Sequence, residues 1–431
     1  MSMDIKEVKQ QLKSLKAEKG KIARQFKEVD TGSQAHQDLV ARMQDVSASV
    51  KRLEAEQKAL LKAQNAENAT SDTVSLPGQF TPVSEDFNGN FSISRIPADG
   101  DLSAWWQFVA KHKQASVYHQ QPVWDFITAQ PYTAGEILLV KDDHHNVIGG
   151  MPLVFLTTPL LGNFGVSLPF FNYGGPVTRF ANVFKALLEV CQQDARNNDA
   201  KYIEIRTTTK TALTASTKKV SMLRALPATT AQFDDDIGAK VRAQVKKAAP
   251  HRPTFKVGGQ ELLNDFYQVF ARNMRDLGTP VNSKRFFTDL MDALPEHTFI
   301  AVAYVNNQPV ATGFLLVNGN MMEIPWASTV RDANKMNMNM WLYHQILHFA
   351  IEKKMRWFDF GRSTRDAGTY RFKKQWGAEP QQHYWYNFSQ AESSESLNPD
   401  NPKFKLAIAV WQRLPVWLTR QVGPYLSRQL P

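Results

Sequence analysis

The chain has 431 residues, too many for one ordinary domain, and its 43% hydrophobic and 11% aromatic content excludes a disordered protein. Its 51 Lys+Arg against 41 Asp+Glu leave a net charge of +10, which favours anionic partners without choosing among nucleic acid, anionic lipid and phosphorylated small molecules. The single cysteine, Cys191, excludes an intramolecular disulfide and a cysteine-rich metal site.

Residues 4–29 place Ile5, Val8, Leu12, Leu15, Ile22, Phe26 and Val29 on a seven-residue pattern, with Lys19 the polar intruder. Leu39, Met43, Val46, Val50, Leu53 and Leu60 repeat it after a break at Asp30-Thr-Gly-Ser33. Two helices and a Gly-containing turn predict an antiparallel coiled-coil hairpin over 1–66. Such a seam serves dimerisation or docking, and a mildly basic arm also suits contact with tRNA. The N-terminus lacks an apolar run, and no segment has the ~18 consecutive apolar residues of a spanning helix. These features predict a cytoplasmic protein, with peripheral contact at the inner membrane face as an option.

Residues 67–92, rich in Asn, Ser, Thr, Gly and Pro, read as a linker. A mixed α/β unit follows over 93–236. Trp105 to Val109 predict a helix, and Ile137–Val140, Val147–Met151 and Leu153–Leu156 predict strands. A helix over Phe184–Asp194 carries Cys191 beside Leu187 and Leu188 as a small buried hydrophobe, and Tyr202–Arg206 is a strand.

A second unit spans 237–390. Its basic run, Lys240, Arg242, Lys246 and Lys247, suits phosphates or a solvated helix face. Leu262–Asp276 and Phe286–Leu294 predict helices; Phe299–Val305, Val310–Val317 and Met321–Trp326 predict strands joined by Asn-rich turns; Trp341–Lys353 predicts a long helix. Strands at Trp357 and Tyr384 complete the set. Residues 391–431 carry Trp411, Trp417, Arg413, Arg420, Arg428, Lys403 and Lys405 with apolar positions between them, a basic amphipathic segment for a membrane face or for packing. Pro415 and Pro424 argue against one continuous helix.

The densest chemistry runs from Trp357 to Gly377. Asp359 alternates with aromatic residues at the end of a strand, and Gly361 lets the chain turn into Arg362, Ser363, Arg365, Asp366, Thr369, Tyr370, Lys373 and Lys374. This cluster suits an anion-handling or acyl-handling site. Asp359-Phe-Gly-Arg-Ser363, Gly368-Thr369, the Phe372–Ala378 run Phe-Lys-x-x-Trp-Gly-Ala and the aromatic strand at Tyr384–Tyr386 resemble the FemAB branch of the GNAT acyltransferases. The match is nearest to FemAB-related proteins of PEP-CTERM/exosortase and exopolysaccharide systems. Leu168-Pro-Phe-Phe-Asn-Tyr-Gly-Gly175, Asn273-Met-Arg-Asp-Leu-Gly-Thr-Pro280, and Trp411 with Leu414-Pro415 and Gly423-Pro424 extend it over roughly 90–431.

That resemblance implies two GNAT-like units in tandem and a transfer of an acyl or aminoacyl group, from acyl-CoA or an aminoacyl-tRNA, onto an amine. The implied acceptor is an anionic small molecule or a lipid-linked saccharide of envelope or exopolysaccharide assembly. A peptidoglycan-precursor transferase and a degenerate GNAT scaffold are the alternatives. It places Lys373 near the reacting carbonyl, where a cation stabilises an oxyanion, with Thr369 and Tyr370 as hydroxyl donors. Arg362 and Ser363 are candidates for binding an anionic group, Asp359 for orienting it or taking a proton, and Glu323 for a general base. Ser328–Asn339, the expected pyrophosphate loop, has Arg331, Asn337 and Asn339 as candidate contacts but no glycine. His119 is read as structural beside its aromatic neighbours. No Walker loop, His-Glu-x-x-His, Gly-x-Ser-x-Gly or dinucleotide fingerprint is present, so no metal site is expected.

Overall fold

The computed structural model describes residues 5–26, 29–30, 32–71, 75–197, 200–389 and 402–430. Its contacts divide the chain into two compact units, one ending at Ser75 and one starting at Leu76.

The first unit is a helical hairpin of α1 (Ile5–Gln25) and α2 (Gln34–Ser71). Val8, Leu12 and Ile22 bury against Leu39, Val46, Val50 and Leu53, with Leu15, Phe26, Val29 and Met43 beside them, so each arm covers the other's seam. Lys19 lies exposed, its flexible stem carrying the ammonium to solvent. Gly32 turns the chain at φ +90°, and the Ser33 hydroxyl accepts from the His36 amide at 3.1 Å to cap α2. The side chains of Ile5 and Leu60 lie outside the described residues. Helix α2 continues to Ser71 through residues that read as linker, because the stretch contains neither glycine nor proline.

The second unit begins with a short turn at Gly78–Phe80 that packs onto the fold: a side chain at Gly78 would collide with the Lys113 carbonyl. Gly- and Pro-rich composition there reflects a close approach rather than a loose tether. Residues 72–74 of the expected linker lie outside the described residues. In chain order follow β1 (Phe91–Pro97), α3 (Ser103–Lys111), α4 (Gln121–Thr128), β2 (Thr133–Asp142), β3 (Val147–Thr158), β4 (Gly162–Val166), α5 (Ala181–Asn197) and β5 (Ile203–Thr207). Next come β6 (Lys219–Ala225), α6 (Thr230–Asp236), α7 (Gly238–Lys246), β7 (Thr254–Gly258), α8 (Leu263–Leu277), α9 (Lys284–Ala293), β8 (Thr298–Val305), β9 (Gln308–Asn318) and β10 (Met321–Thr329). The last are α10 (Arg331–Asn334), α11 (Met338–Glu352), β11 (Trp357–Thr364), α12 (Gly368–Gln375), β12 (Glu379–Gln382), β13 (Tyr384–Phe388), α13 (Pro402–Trp411) and α14 (Val416–Ser427).

Strand β3 joins two segments that read as separate strands. Pro152 is tolerated inside it because β4 pairs only from Val154 onward, so no ladder bond on that side needs its missing N–H. Two sheets result, β1-β2-β3-β4-β5-β13 and β12-β6-β11-β10-β9-β8-β7. Each contains one parallel pair, β4 with β5 and β10 with β11, and is otherwise antiparallel.

The sheets exchange strands. β6, which follows the first sheet in sequence, pairs antiparallel with β11 of the second. β13, read from sequence as the last strand of the second unit, instead pairs antiparallel with β5 of the first. Tyr386 and Phe388 of β13 bury in the first core with Leu187, Cys191, Ile203 and Ile205, under α5. A boundary at 236/237 therefore does not separate the two sheets. Cys191 is fully buried and free, and burial pushes its thiol up, as its small-hydrophobe reading requires.

Helices α6, α7 and α11 cover one face of the second sheet, while an aromatic cluster of Phe266, Phe270, Phe287, Phe314 and Trp326 fills the other beneath α8 and α9. The C-terminal helices dock on α8. The Arg275 Nη1 donates to the Leu414 carbonyl at 2.8 Å, Arg420 lies 5.1 Å over the Tyr267 ring, and Gly423 lets α14 meet the Val281 backbone. Pro415 separates α13 from α14, whereas Pro424 sits within α14. Leu406, Val410, Trp417 and Tyr425 remain exposed along these helices. The side chains of Lys403 and Lys405, and the stretch 390–401, lie outside the described residues. Among those residues no helix is long and apolar enough to cross a membrane.

Candidate active site

The parallel strands β10 and β11 pair over only three positions, ending at Glu323 opposite Asp359. Both strands bulge immediately afterwards, β10 between Glu323 and Trp326 and β11 between Asp359 and Arg362, and they then diverge. Gly361 makes the divergence sterically feasible: its φ is +74°, and a Cβ there would stand 2.9 Å from the Ile324 carbonyl oxygen. Two carboxylates therefore occupy the vertex of a splay, side by side on neighbouring strands and fully buried.

Segments distant in sequence close over Glu323. Tyr118 O–H donates to its Oε2 at 2.6 Å and Tyr173 O–H to the same oxygen at 3.4 Å, while Asn172 Nδ2 donates to Oε1 at 3.2 Å. Burial and the neighbouring Asp359 hold the Glu323 carboxyl well above its ordinary range, and the three donors oppose that shift. Burial raises Asp359 too, with the Lys373 ammonium pulling the other way. Asp359 Oδ1 accepts from the Gly361 amide at 2.8 Å, whereas its Oδ2 has no hydrogen bond.

Lys373 projects from α12 into this interior, and burial lowers it to about 8 against the attraction of Asp359 and Glu323. Its Nζ donates to the Gly361 and Arg362 carbonyls, both at 2.9 Å, so two of its three N–H groups hold the β11 bulge in place. Ser363 is buried with an unpartnered hydroxyl. His383 donates to or accepts from the Ser221 hydroxyl through Nε2 at 3.0 Å, its Nδ1 is unpartnered, and burial lowers it to about 3. Its ring stands 5.9 Å from that of Tyr173. Buried polar atoms without partners are few in native folds, so Asp359 Oδ2, Ser363 Oγ and His383 Nδ1 mark ground prepared for a ligand or ordered water.

Other candidates fall around this centre or away from it. Arg362 is exposed, with its guanidinium 5.2 Å over the Trp385 ring, and Arg206 faces the same ring at 4.6 Å. Thr369 is exposed on the first turn of α12, but Tyr370 turns inward and packs in the second core. Asn337 takes a left-handed conformation, φ +56°, before α11 and makes no side-chain cap; Asn339 accepts from the Thr329 hydroxyl at 3.3 Å. Arg331 is exposed at the head of α10. The expected pyrophosphate loop, which lacks glycine, thus forms one helical turn and an Asn that adopts the backbone glycine would supply.

On α7, Arg242 spends Nη1 on the carbonyls of Asp234 and Asp235, at 2.6 and 3.1 Å, while Lys240 and Lys246 are exposed. Among the described residues no hydrogen bond or ion pair joins this run to the carboxylates. His119 is structural: its Nδ1 accepts from the Ser116 amide at 3.1 Å and its Nε2–H donates to the Gly175 carbonyl at 3.1 Å. The residues that sequence reasoning missed, Tyr118, Asn172, Tyr173, Ser221 and His383, include two, Asn172 and Tyr173, inside the Leu168–Gly175 segment singled out as a motif. Their polar atoms at aromatic-rich positions were the available signal.

A cavity of about 760 Å³ lies among α4, α9 and α14. Its apolar wall is Phe126, Phe170 and Phe286, and Arg285 and Arg428 stand at its edge. Phe170 precedes Asn172 by two residues, and Phe286 lies 5.9 Å from Trp326, just past the Glu323 bulge.

The family model of the acetyltransferase (GNAT) domain matches residues 238–374. No curated protein matches the chain. Among solved structures, FemX is similar over 69% of this chain and 98% of its own, with a TM-score of 0.52 at 13% identity. A tandem GNAT protein from the clavulanic acid biosynthesis pathway is similar over 70% and 100%, TM-score 0.46, at 11% identity. The Saccharomyces cerevisiae N-myristoyltransferase with bound myristoyl-CoA is similar over 73% and 83%, TM-score 0.44, at 12% identity. The segment that matches the GNAT acetyltransferase model contains Glu323, Asp359 and Lys373 and excludes Tyr118, Asn172, Tyr173 and His383, and the two-sheet fold around it is similar to that of FemX.

Proposed function

We infer that this protein is a FemAB-like N-acyltransferase that moves an acyl or aminoacyl group onto an amine of a sugar or lipid-linked saccharide in envelope or exopolysaccharide assembly. The observation that carries the reading is the buried Glu323–Asp359–Lys373 group at the mouth of the β10/β11 splay. Past the last paired position the facing edges of these strands have no strand partner, which leaves backbone donors and acceptors for an extended, amide-containing donor. The donor's ester or thioester carbonyl would lie at the splay. The acceptor amine attacks it and loses a proton to the Asp359 carboxylate through Oδ2; as the carbonyl re-forms, the bond to the donor's sulfur or oxygen breaks, and that atom takes the proton back from Asp359 and departs as a thiol or alcohol.

Arg362, over the Trp385 ring, would hold an anionic part of one substrate. The 760 Å³ cavity with Arg285 and Arg428 is where a phosphorylated saccharide would approach. The same reading places the protein in the cytoplasm, with the exposed Trp417 and Tyr425 of α14 against the inner membrane face. A second donor class, aminoacyl-tRNA, is favoured by the absence of a glycine cradle at Ser328–Asn339.

Calorimetry and filter capture with acetyl-CoA, longer acyl-CoAs and charged tRNA separate the donors. Saturable acyl-CoA binding, weakened when Asn339 is replaced by a bulky residue, supports the first; retention of charged tRNA alone moves the chain to the second. Asp359→Asn should lower transfer about 10²- to 10⁴-fold with little change in far-UV circular dichroism. Full activity in that variant would sink the proton-transfer assignment.

A further inference from the structure

A second constellation, remote in sequence from the carboxylate pair, brings three ligand-type side chains to one point. His344 and His348 lie four residues apart on α11 and so share one face of the helix. Both turn Nε2 to the same carboxylate oxygen, Asp234 Oδ1 on α6, at 2.7 and 2.9 Å. The two imidazole rings stand 4.1 Å apart, and the ligand-type atoms of all three residues fit within 4.8 Å of one another. From this convergence we propose that Asp234, His344 and His348 bind a divalent transition-metal ion, with zinc as the representative of the class.

The chemistry of the set selects the ion. Two imidazole nitrogens and one carboxylate suit zinc, cobalt, nickel or copper, and not the oxygen-seeking calcium or magnesium. Zinc–ligand bonds of about 2.0–2.1 Å in a tetrahedron put neighbouring ligand atoms about 3.3 Å apart, so the three groups need open by only about half an ångström. The side chains of His344 and His348 keep 14% and 23% of their surface and that of Asp234 keeps 41%, which leaves the ion an entry path and an open position for water. Arg242, the nearby cation, bonds the Asp234 backbone carbonyl and leaves the carboxylate to the histidines.

The supporting structure is fixed independently of any ion. Gln345 Nε2 lies 3.2 Å from His344 Nδ1, orienting that ring from behind. Phe233, next to Asp234, stacks on Trp376 with ring centroids 6.4 Å apart, and Arg224 lies 4.5 Å over Phe233 while donating to the Trp376 carbonyl. An ion at this point therefore clips α6 to α11 directly behind α12, the helix that carries Lys373. The clip is structural: among the described residues no hydrogen bond or ion pair joins Asp234, His344 or His348 to Glu323 or Asp359.

The test uses the untagged full chain, stripped with a chelator and titrated with zinc chloride by calorimetry, with cobalt substitution read by its visible absorption. One zinc per chain, a cobalt spectrum of low-symmetry four- or five-coordinate type, and a raised thermal midpoint are expected. His348→Gln and Asp234→Asn, which lie on different helices and keep near-native shape, should each weaken zinc at least about tenfold, the loss that even supporting residues cause in metal sites. His144→Ala with His145→Ala, at an exposed turn, should leave the affinity unchanged. Absence of saturable zinc binding, or binding that survives both His348→Gln and Asp234→Asn in variants whose circular dichroism matches the parent, overturns the proposal.

Discussion

The two sheets use the same backbone device and fill it differently. Each has one parallel pair that separates after a few residues, β4/β5 in the first sheet and β10/β11 in the second. At the first vertex the last pair is Val166 with Glu204, and Glu204 is tied to Arg206 at 2.8 Å. Arg206 in turn donates to the Phe171 carbonyl at 3.0 Å, so that vertex is closed by an apolar side chain and a satisfied ion pair. At the second vertex the corresponding positions are Glu323 and Asp359, two buried acids with an unpartnered oxygen between backbone edges that no strand covers. A repeated fold thus supplies the opening twice, and side chains turn only one of the openings into a site. The first sheet still contributes, because Tyr118, Asn172 and Tyr173 reach across to Glu323.

The comparison can be broken at several scales. The largest effect should come from expressing residues 238–374 alone: β11 would lose β6, exposing an apolar edge, and the fragment should aggregate rather than give a cooperative unfolding transition. Next, Gly361→Ala forces a side chain into a left-handed backbone against the Ile324 carbonyl. It should cost more than about 1 kcal/mol, read as a lower denaturant midpoint, and reduce transfer by distorting the splay. Glu323→Gln should change the pH profile of stability. Native Glu323 keeps its proton after the unfolded chain has released it, so above the ordinary glutamate value of 4.5 stability of the parent falls as pH rises toward the raised folded value. The variant should flatten that part of the curve in urea titrations taken across pH. The smallest effect belongs to the first vertex: Glu204→Gln keeps an acceptor for Arg206 and should cost about 1 kcal/mol with transfer unchanged. A large loss of transfer there would mean that the two vertices are not as different as their side chains imply.

Much of this architecture was readable from periodicity. The hairpin seam, α5, α8, α9, α11 and strands β8 to β10 follow alternation or heptad spacing, because one face of each meets a core and the other meets water. Of the strands that escaped notice, β1, β4, β7 and β12 are short or lie at sheet edges, where few buried residues write a pattern, whereas β6 is interior and buried over Val220–Arg224 but has Ser221 and Arg224 breaking its apolar run. Partner choice was also hidden, since nothing local in Tyr384–Phe388 tells whether it completes the first sheet or the second. Within the site, Asp359, Glu323 and Lys373 stood out by residue type and context. Their mutual placement did not, because it depends on a register between strands separated by a helix. Tyr370 was misjudged for a related reason: one helical turn decides whether a tyrosine points to the cleft or to the core, and α12 sends it to the core.

The exchange of β6 and β13 between the sheets gives this chain an unusual order of assembly. During synthesis the first sheet has β1 to β5 early, but its final edge strand emerges only after the whole second sheet has been made. At about 5–20 residues per second, β5 would wait on the order of ten seconds or longer with an open edge. That interval, rather than the finished fold, is when the first sheet is most exposed to wrong pairings. A chaperone-dependent yield that improves when translation is slowed only after residue 388, and not before it, would be the cellular trace of two sheets stitched together by each other's strands.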